Sequence, residues 1–293
     1  MKEDRFVLAA DIGGTHITVA VIDLDTRKML NESLVRMALD SRSTEANIVD
    51  VWASAILSAK KNFDVRQLCL AIPGPFDYER GICLIQNQGK YDHLYGLDIK
   101  QLLSSKLAIP GLTVNLINDA TAFLHGEMFG GAGIDQQQAL GITLGTGLGT
   151  CVYSTGKSVS ADLWDMPFLD GIAEEYLSTR WFIKRYRDRT GQSVTGVSEL
   201  VTLFDNDGVV AEIFNEFGQH LADFIIKFEK ISPSRLVILG GNVSKSFIFF
   251  KDSLLERLKT AKPDLVIRTA VLGEHAALLG AASSCSMENL SKA

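Results

Sequence analysis

Apolar residues dominate Phe6 to Ala10, give way to Asp11-Ile12-Gly13-Gly14-Thr15-His16, and resume from Ile17 to Ile22. Two β-rich runs about a Gly-Gly step predict a hairpin. Lys28 to Met37 reads as a third strand. From Glu45 to Lys61, Ile48, Val51, Trp52, Ala55 and Ile56 recur at helical spacing and predict an amphipathic helix. Gln67 to Ile72 is a short apolar run of the kind buried on both faces of a parallel sheet. It stops at Pro73-Gly74-Pro75, either a rigid turn or a preformed ligand loop at a strand's C-terminal end. A strand over Gly81 to Gly89, a helix over Leu97 to Leu107 and a strand over Thr113 to Ile117 follow. The last leads through Asn118-Asp119 into a helix-compatible run from Ala120 to Met128.

The second half repeats the opening. Gln138 to Leu144 enters Gly145-Thr146-Gly147-Leu148-Gly149-Thr150 and leaves through Cys151-Val152-Tyr153, about 130 residues after the first turn. The spacing is G-x-G-x-G and the exit is β-favouring, so strand-turn-strand fits better than the dinucleotide fingerprint, which opens a helix. Two such hairpins in a chain of this length imply duplicated halves that each present a turn to one cleft. A helix begins near Ile172, and Trp181 to Phe228 is mostly helical, ending in Val209 to Lys230. Arg235 to Leu239 is a strand that stops at Gly240-Gly241. A helix (Ser246 to Thr260), a strand (Asp264 to Arg268) and a small-residue helix (Glu274 to Ala282) close the chain, with a frayed tail over Ser286 to Ala293. The alternation predicts an α/β protein of two domains: 1–117 with a C-terminal helix at 274–288, and 118–273.

Composition narrows the function. The 293 residues are 46% hydrophobic and 22% charged, with a formal net charge of −6. That balance suits a globular protein and lacks the basic excess of a nucleic-acid binder. No apolar run reaches the length of a membrane-spanning helix, and Met1-Lys2-Glu3-Asp4-Arg5 lacks the layout of a signal peptide. A cytoplasmic protein is expected, without membrane or nucleic-acid partners. Cys69, Cys83, Cys151 and Cys285 form no C-x-x-C pair and are expected as buried free thiols. The scattered histidines offer no zinc spacing.

The chemistry concentrates at the turns. Gly13 and Gly14 permit close backbone approach and positive φ, Thr15 offers a hydroxyl, and Asp11 sets a carboxylate at a strand end. The set suits nucleotide phosphates and their Mg²⁺. Asp119 stands at a strand-to-helix junction, where a carboxylate serves either as an N-cap or as a general base facing a cleft.

Asp11-Ile-Gly-Gly-Thr15, Ile72-Pro-Gly-Pro-Phe-Asp77, Asn118-Asp119 with Gly126-Glu127, Leu144-Gly-Thr-Gly-Leu-Gly149 and Leu239-Gly-Gly-Asn-Val-Ser244 occur in one order. That order, with the Ala276 to Ala281 close, resembles the ROK family of sugar kinases and repressors over nearly the whole chain. The resemblance implies an actin-like ATPase (ribonuclease H-like) fold, two similar α/β domains, each around a five-stranded mixed sheet, about a cleft. It implies an ATP- and Mg²⁺-dependent sugar kinase acting on a hexose or N-acylhexosamine, and a homodimer. Family repressors carry an N-terminal winged helix-turn-helix; here the first hairpin arrives by residue 11, which favours the kinase branch. Under the resemblance Asp119 is the general base and Asn118 binds neighbouring hydroxyls. Gly13, Gly14 and Thr15 hold one side of the phosphates, and Gly145, Thr146 and Gly147 the other. Asp11 organises Mg²⁺ through water, Gly240 and Gly241 flank the adenosine, and Gly74 and Asn87 join the sugar contacts.

The departures bear on specificity. The family's zinc motif, C-x-C-G-x-x-G-C, is missing from the shortened stretch Asp162 to Glu174, so no zinc site is expected. Asp162 takes the place of a family Glu and Asp165 that of a His, and Glu174 in Gly-Ile-Ala-Glu matches the residue on the sugar's anomeric side. Thr121 stands where an Asn is common. Glucose is the default substrate, with N-acetylmannosamine and N-acetylglucosamine as alternatives. A non-catalytic sugar sensor and an actin-like assembly protein are the competing classes.

Overall fold

The computed structural model describes residues 5–290. Phe6–Ile12 forms β1 and His16–Asp23 forms β2, antiparallel from Phe6↔Asp23 to Ile12↔Ile17. β3 (Lys28–Met29) and β4 (Val35–Ala38) both pair with β2. The single strand expected over 28–37 is interrupted because Ser33 turns inward. Its hydroxyl accepts from Val21 N at 2.8 Å and donates to the Leu30 carbonyl at 2.6 Å, fixing a 3-10 turn over Asn31–Ser33.

Helix α1 (Glu45–Lys60) starts at Thr44, whose side chain accepts from Asn47 N, and β5 (Gln67–Ile72) is buried along its whole length. The strand expected over 81–89 shrinks to β7 (Ile82–Cys83) paired with β6 (Phe76–Asp77); residues 84–89 form a loop. After α2 (Ile99–Leu107), β8 (Thr113–Asn118) runs parallel to β5 and opens into α3 (Asp119–Gly130). The first sheet has six strands rather than five: β3-β2-β1-β5-β8, with β4 also on β2.

In the second sheet β9 (Gln138–Leu144) and β10 (Leu148–Ser154) form the hairpin, with β11 (Lys157–Ser160) outside β10. The short β12 (Pro167–Phe168) and β13 (Gly171–Ile172) pair with each other ahead of α4 (Ala173–Tyr176) and α5 (Thr179–Thr190). Two more helices follow, α6 (Val197–Leu203) and α7 (Gly208–Ile231). β14 (Leu236–Gly240) lies parallel to β9, and after α8 (Phe247–Ala261) β15 (Val266–Thr269) lies parallel to β14. The order is β11-β10-β9-β14-β15. The last helix, α9 (Ala276–Leu290), runs past Ser286, where fraying is expected; residues 291–293 of that tail and residues 1–4 lie outside the described residues.

Packing divides the chain into two units. The first runs to Ile134 and takes in Gly156–Ser158 and the chain from Glu274 onward; the second is Asp135–Thr155 with Val159–Gly273. The first boundary falls after α3 rather than before it, because α3 and α9 pack backbone to backbone. A Cβ at Gly126 would enter the Ala276 carbonyl, and one at Gly280 the Ala122 carbonyl. Leu8, Ala10 and Ile12 of β1 join Trp52 and Ile56 of α1 in one core. Alternation sends Ala9 and, by register, Ala20 and Cys69 to the opposite face, under α9. There Cys69 and Cys285 form a disulfide across a Cα–Cα distance of 6.5 Å. The expectation of four free thiols therefore holds only for Cys83 and Cys151. Apolar surroundings did not exclude a bridge, because the partner arrives on a helix 216 residues away in sequence. The second unit's core is more aromatic: Phe214, Phe217, Phe224 and Phe228 line one face of α7 at helical spacing against Phe182 and Phe250. Among the described residues no helix is long and apolar enough to cross a membrane.

Candidate active site

β1, β5 and β8 run parallel, with Asp11 opposite Ala71 and Ala71 opposite Ile117. Their C-terminal ends therefore bring Asp11, Asn118 and Asp119 to one end of the first sheet, the end at which α/β sheets bind ligands. Asn118, not Asp119, caps α3: its Oδ1 accepts from Thr121 N at 3.1 Å and from the Thr121 hydroxyl at 3.4 Å. Its Nδ2 donates to the Tyr78 hydroxyl at 3.2 Å, and Tyr78 donates to the Ile72 carbonyl. The buried Thr121 thus helps to hold Asn118. Asp119 is the first helical residue, its Oδ1 accepting from the adjacent Ala120 N at 2.9 Å. Burial raises its pKa above the ordinary carboxylate range, against the pull of that N–H and of the Lys90 ammonium.

Asp11 is pushed up to about 7, first by burial and then by the charges of Asp119 and Glu274, with Arg36 opposing. A carboxylate crowded by two others is a site that a cation relieves. Among the described residues no three His, Cys, Asp or Glu side chains gather closely enough to hold a metal alone. A single carboxylate at a strand end suits Mg²⁺ that would be held largely by phosphate oxygens and water, the carboxylate organising the water. The residues fit such an ion.

The first hairpin turn is tied from two sides. Gly13 N donates to the His16 carbonyl at 2.9 Å, and the Gly13 carbonyl accepts from the Tyr91 hydroxyl at 2.5 Å. Tyr91 is fully buried against Trp52, and its N–H donates to the Ser41 carbonyl at 2.6 Å. The loop carrying Asn87 and Lys90 is thereby strapped to the turn, while Asp92 accepts from Gln88 N and Gly89 N. Tyr91 and Lys90 were not foreseen: no periodicity marks them, and their roles depend on contacts with distant segments. Asn87 is exposed at φ 57°, and Gly74 precedes a cis Pro75 beside the Tyr78 hydroxyl. Thr15 shares a hydrogen bond with His16 Nδ1 at 2.8 Å.

In the second unit Gly145 N donates to the Gly147 carbonyl at 3.0 Å, and Thr179 N donates to the Gly145 carbonyl at 2.7 Å. Positive φ is required at none of Gly13, Gly14, Gly145 or Gly147, contrary to the conformational argument for the first turn. What their missing side chains leave differs. A Cβ at Gly145 would meet nothing within 4 Å, and one at Gly14 only Ser41 Oγ at 3.7 Å. Those turns keep open space beside backbone, as close approach by a phosphate requires. Gly147 is different: a Cβ there would sit 2.6 Å from Glu174 Oε2, which accepts from Leu148 N at 3.0 Å. Gly241 has φ +82° and abuts the Leu144 backbone, so its glycine is also explained by packing of β14's end on the hairpin.

Glu174 is thus a strut beneath the second turn, paired on its other oxygen with Arg180. Both line a cavity of about 740 Å³ in this unit, with Tyr176, Trp181 and Lys184. Asp162 and Asp165 are exposed. Asp162 adopts φ 49° and accepts from the Ser160 hydroxyl at 2.6 Å, while Leu163 N donates to Thr150 Oγ1 and pins this segment to β10.

Solved structures with this architecture include sugar kinases and a ROK family transcriptional regulator. The chain overlays a ROK hexokinase from Thermus thermophilus with a TM-score of 0.79 at 22% identity, covering 98% of this chain and 99% of that one. It overlays a ROK family glucokinase from Streptomyces griseus, in complex with glucose and AMPPNP, with a TM-score of 0.76 at 23% identity, covering 95% and 98%. The fold is the actin-like ATPase fold. An N-acetyl-D-glucosamine kinase of Histophilus somni is 26% identical over 292 residues, 89% of this chain and 90% of that protein. The ROK family profile matches residues 7–161 and 170–287, and the chain belongs to the ROK family.

Proposed function

We propose that the protein is an ATP-dependent kinase that phosphorylates a hexose hydroxyl, glucokinase-like, with Asp119 as general base. The observation that carries this is the division of labour at the end of β8. Asn118 takes the capping task, so Asp119's carboxylate remains available beside Asp11. A hydroxyl attacking a γ-phosphate needs positioning and a proton acceptor more than covalent help. A raised pKa makes Asp119 a stronger acceptor once ionised, and Lys90 favours that ionised form.

Asn118, Asn87 and the Gly74 loop bind sugar hydroxyls in this reading, with Asp162, Asp165 and Glu174 at the remaining positions. Gly13, Gly14 and Thr15, with Gly145, Thr146 and Gly147, receive the phosphates, and Gly240 and Gly241 the adenosine. Bound Mg²⁺ neutralises charge on the transferring phosphoryl group; Asp11 orients its water. The assembly is a cytoplasmic homodimer, a state that light scattering reads directly.

The relative named an N-acetyl-D-glucosamine kinase favours a second reading in which the acceptor is an N-acetylhexosamine. A coupled ADP-release assay over glucose, mannose, N-acetylglucosamine and N-acetylmannosamine separates the two. Turnover on one class assigns the substrate. None on any sugar, with intact nucleotide binding, would replace the kinase by a sugar sensor of the same fold.

A further inference from the structure

Asp11, Thr18 and Arg36 stand opposite one another on β1, β2 and β4, so all three side chains leave the same face of the sheet in one row. Adjacent strands are about 4.8 Å apart, which puts the Arg36 and Asp11 backbones roughly 10 Å from each other. An arginine fork extended along that row can meet a carboxylate at its far end, and Arg36 is the cation that acts on Asp11. In the structure it does not close on Asp11. Arg36 Nη1 is instead bonded to Glu274 Oε2 at 2.8 Å. Glu274 sits in the 3-10 turn Gly273–His275 that leads into α9, the helix packed on β1, β2 and β5.

This ion pair is poorly placed to stabilise the fold. The side chains are 52% and 72% exposed, conditions in which a pair contributes little. Its position beside Asp11 gives it another use. An arginine bound to Asp11 would occupy the oxygens and neutralise the charge that Mg²⁺ and its water need.

We propose that Glu274 is a positioning residue that sequesters Arg36, keeping the Asp11 carboxylate open to the magnesium–nucleotide complex. The inference rests on the reading of Asp11 as the metal-organising carboxylate. Glu274 touches neither nucleotide nor sugar; it acts by denying Arg36 its alternative partner.

The test measures Mn²⁺ binding in the presence of ADP, by loss of the free Mn²⁺ paramagnetic resonance signal, without sugar. Glu274→Gln frees Arg36 and should weaken Mn²⁺ binding about fivefold, the scale of one exposed ion pair. Adding Arg36→Met removes the competitor, and the double variant should return to within about twofold of wild type. Melting temperatures of all three proteins are read alongside. A pair that only ties α9 to β4 would leave Mn²⁺ binding unchanged in Glu274→Gln, or make the double variant as weak as the single; either result overturns the proposal. Wild-type protein that binds Mn²⁺·ADP yet phosphorylates no sugar would remove the kinase reading while leaving the Arg36–Glu274 result to be judged on its own titration. Wild-type protein that binds no Mn²⁺·ADP would overturn both.

Discussion

The two sheets are variations on one plan. Each begins with an antiparallel hairpin closed by a glycine and threonine turn, β1–β2 and β9–β10, and each adds parallel strands on the same side of its hairpin. Their strand ends differ. In the first unit the ends carry Asp11, Asn118 and Asp119. In the second they carry Leu144 and Gly240, and the carboxylate at the turn is imported from α4, where Glu174 holds Leu148 N. One copy of the plan gathers carboxylates at its strand ends, and the other presents backbone there, steadied by a carboxylate from a neighbouring helix. The same topology therefore ends in two kinds of surface, and what separates them is a handful of residues at strand termini.

The sharpest way to break this comparison is Asp119→Ala. Turnover should fall about 10²–10⁴-fold, with nucleotide binding retained, if the first unit supplies the base. In the wild type the acid limb of kcat should lie above the ordinary carboxylate range, because burial raises the Asp119 pKa. Undiminished turnover in Asp119→Ala would end the assignment.

Next come the helix pairs behind the two sheets. Gly280→Val would drive a side chain into the Ala122 carbonyl of α3, and Gly218→Val would strike Ser253 and the Phe250 carbonyl of α8. Overpacking of this kind costs about 1–3 kcal/mol or more. Both should lower the melting temperature, but Gly280→Val should also lower kcat, because α3 carries Asp119 at its start. Equal effects on kcat would show that the units do not divide the chemistry in this way.

A smaller effect is expected at the second turn. Gly147→Ala displaces Glu174 from Leu148 N, a charge-assisted bond, and should raise KM for ATP about tenfold with kcat changed less.

The mildest prediction concerns pH. Asp11 is near 7 in the folded protein and near 3.8 when unfolded, so the folded state binds its proton more tightly. That contribution to stability is complete below the unfolded value and is lost as pH rises through the folded one. Melting scans of the free protein should fall between acid and neutral pH, and Asp11→Asn should flatten that fall.

How much of this could be read from the chain depends on where each contact's partner lies. The hairpins, the buried β5 and the helical face of α7 are local patterns, and their limits were legible to within a few residues. Ser33's inward hydroxyl, which splits the third strand, depends on Val21 and was not. The pairing of Cys69 with Cys285, the strap from Tyr91 to Gly13 and the Arg36–Glu274 pair all join residues far apart in sequence. At the candidate site the Asn118-Asp119 step stood out, but which of the two capped the helix did not, since both side chains can. Glu174 was singled out for the sugar, whereas its visible bond is to the neighbouring turn, through a space that only Gly147 leaves.

The place of α9 in the first unit has a consequence for how the protein is made. The strands it covers leave the ribosome long before the helix does, so that face of the first unit's sheet stays uncovered until α9 emerges. Most of the second unit, by contrast, lies in one uninterrupted stretch, Val159–Gly273, that is available earlier. Order of synthesis and order of completion are reversed, and the newborn chain carries an open apolar surface until α9 docks.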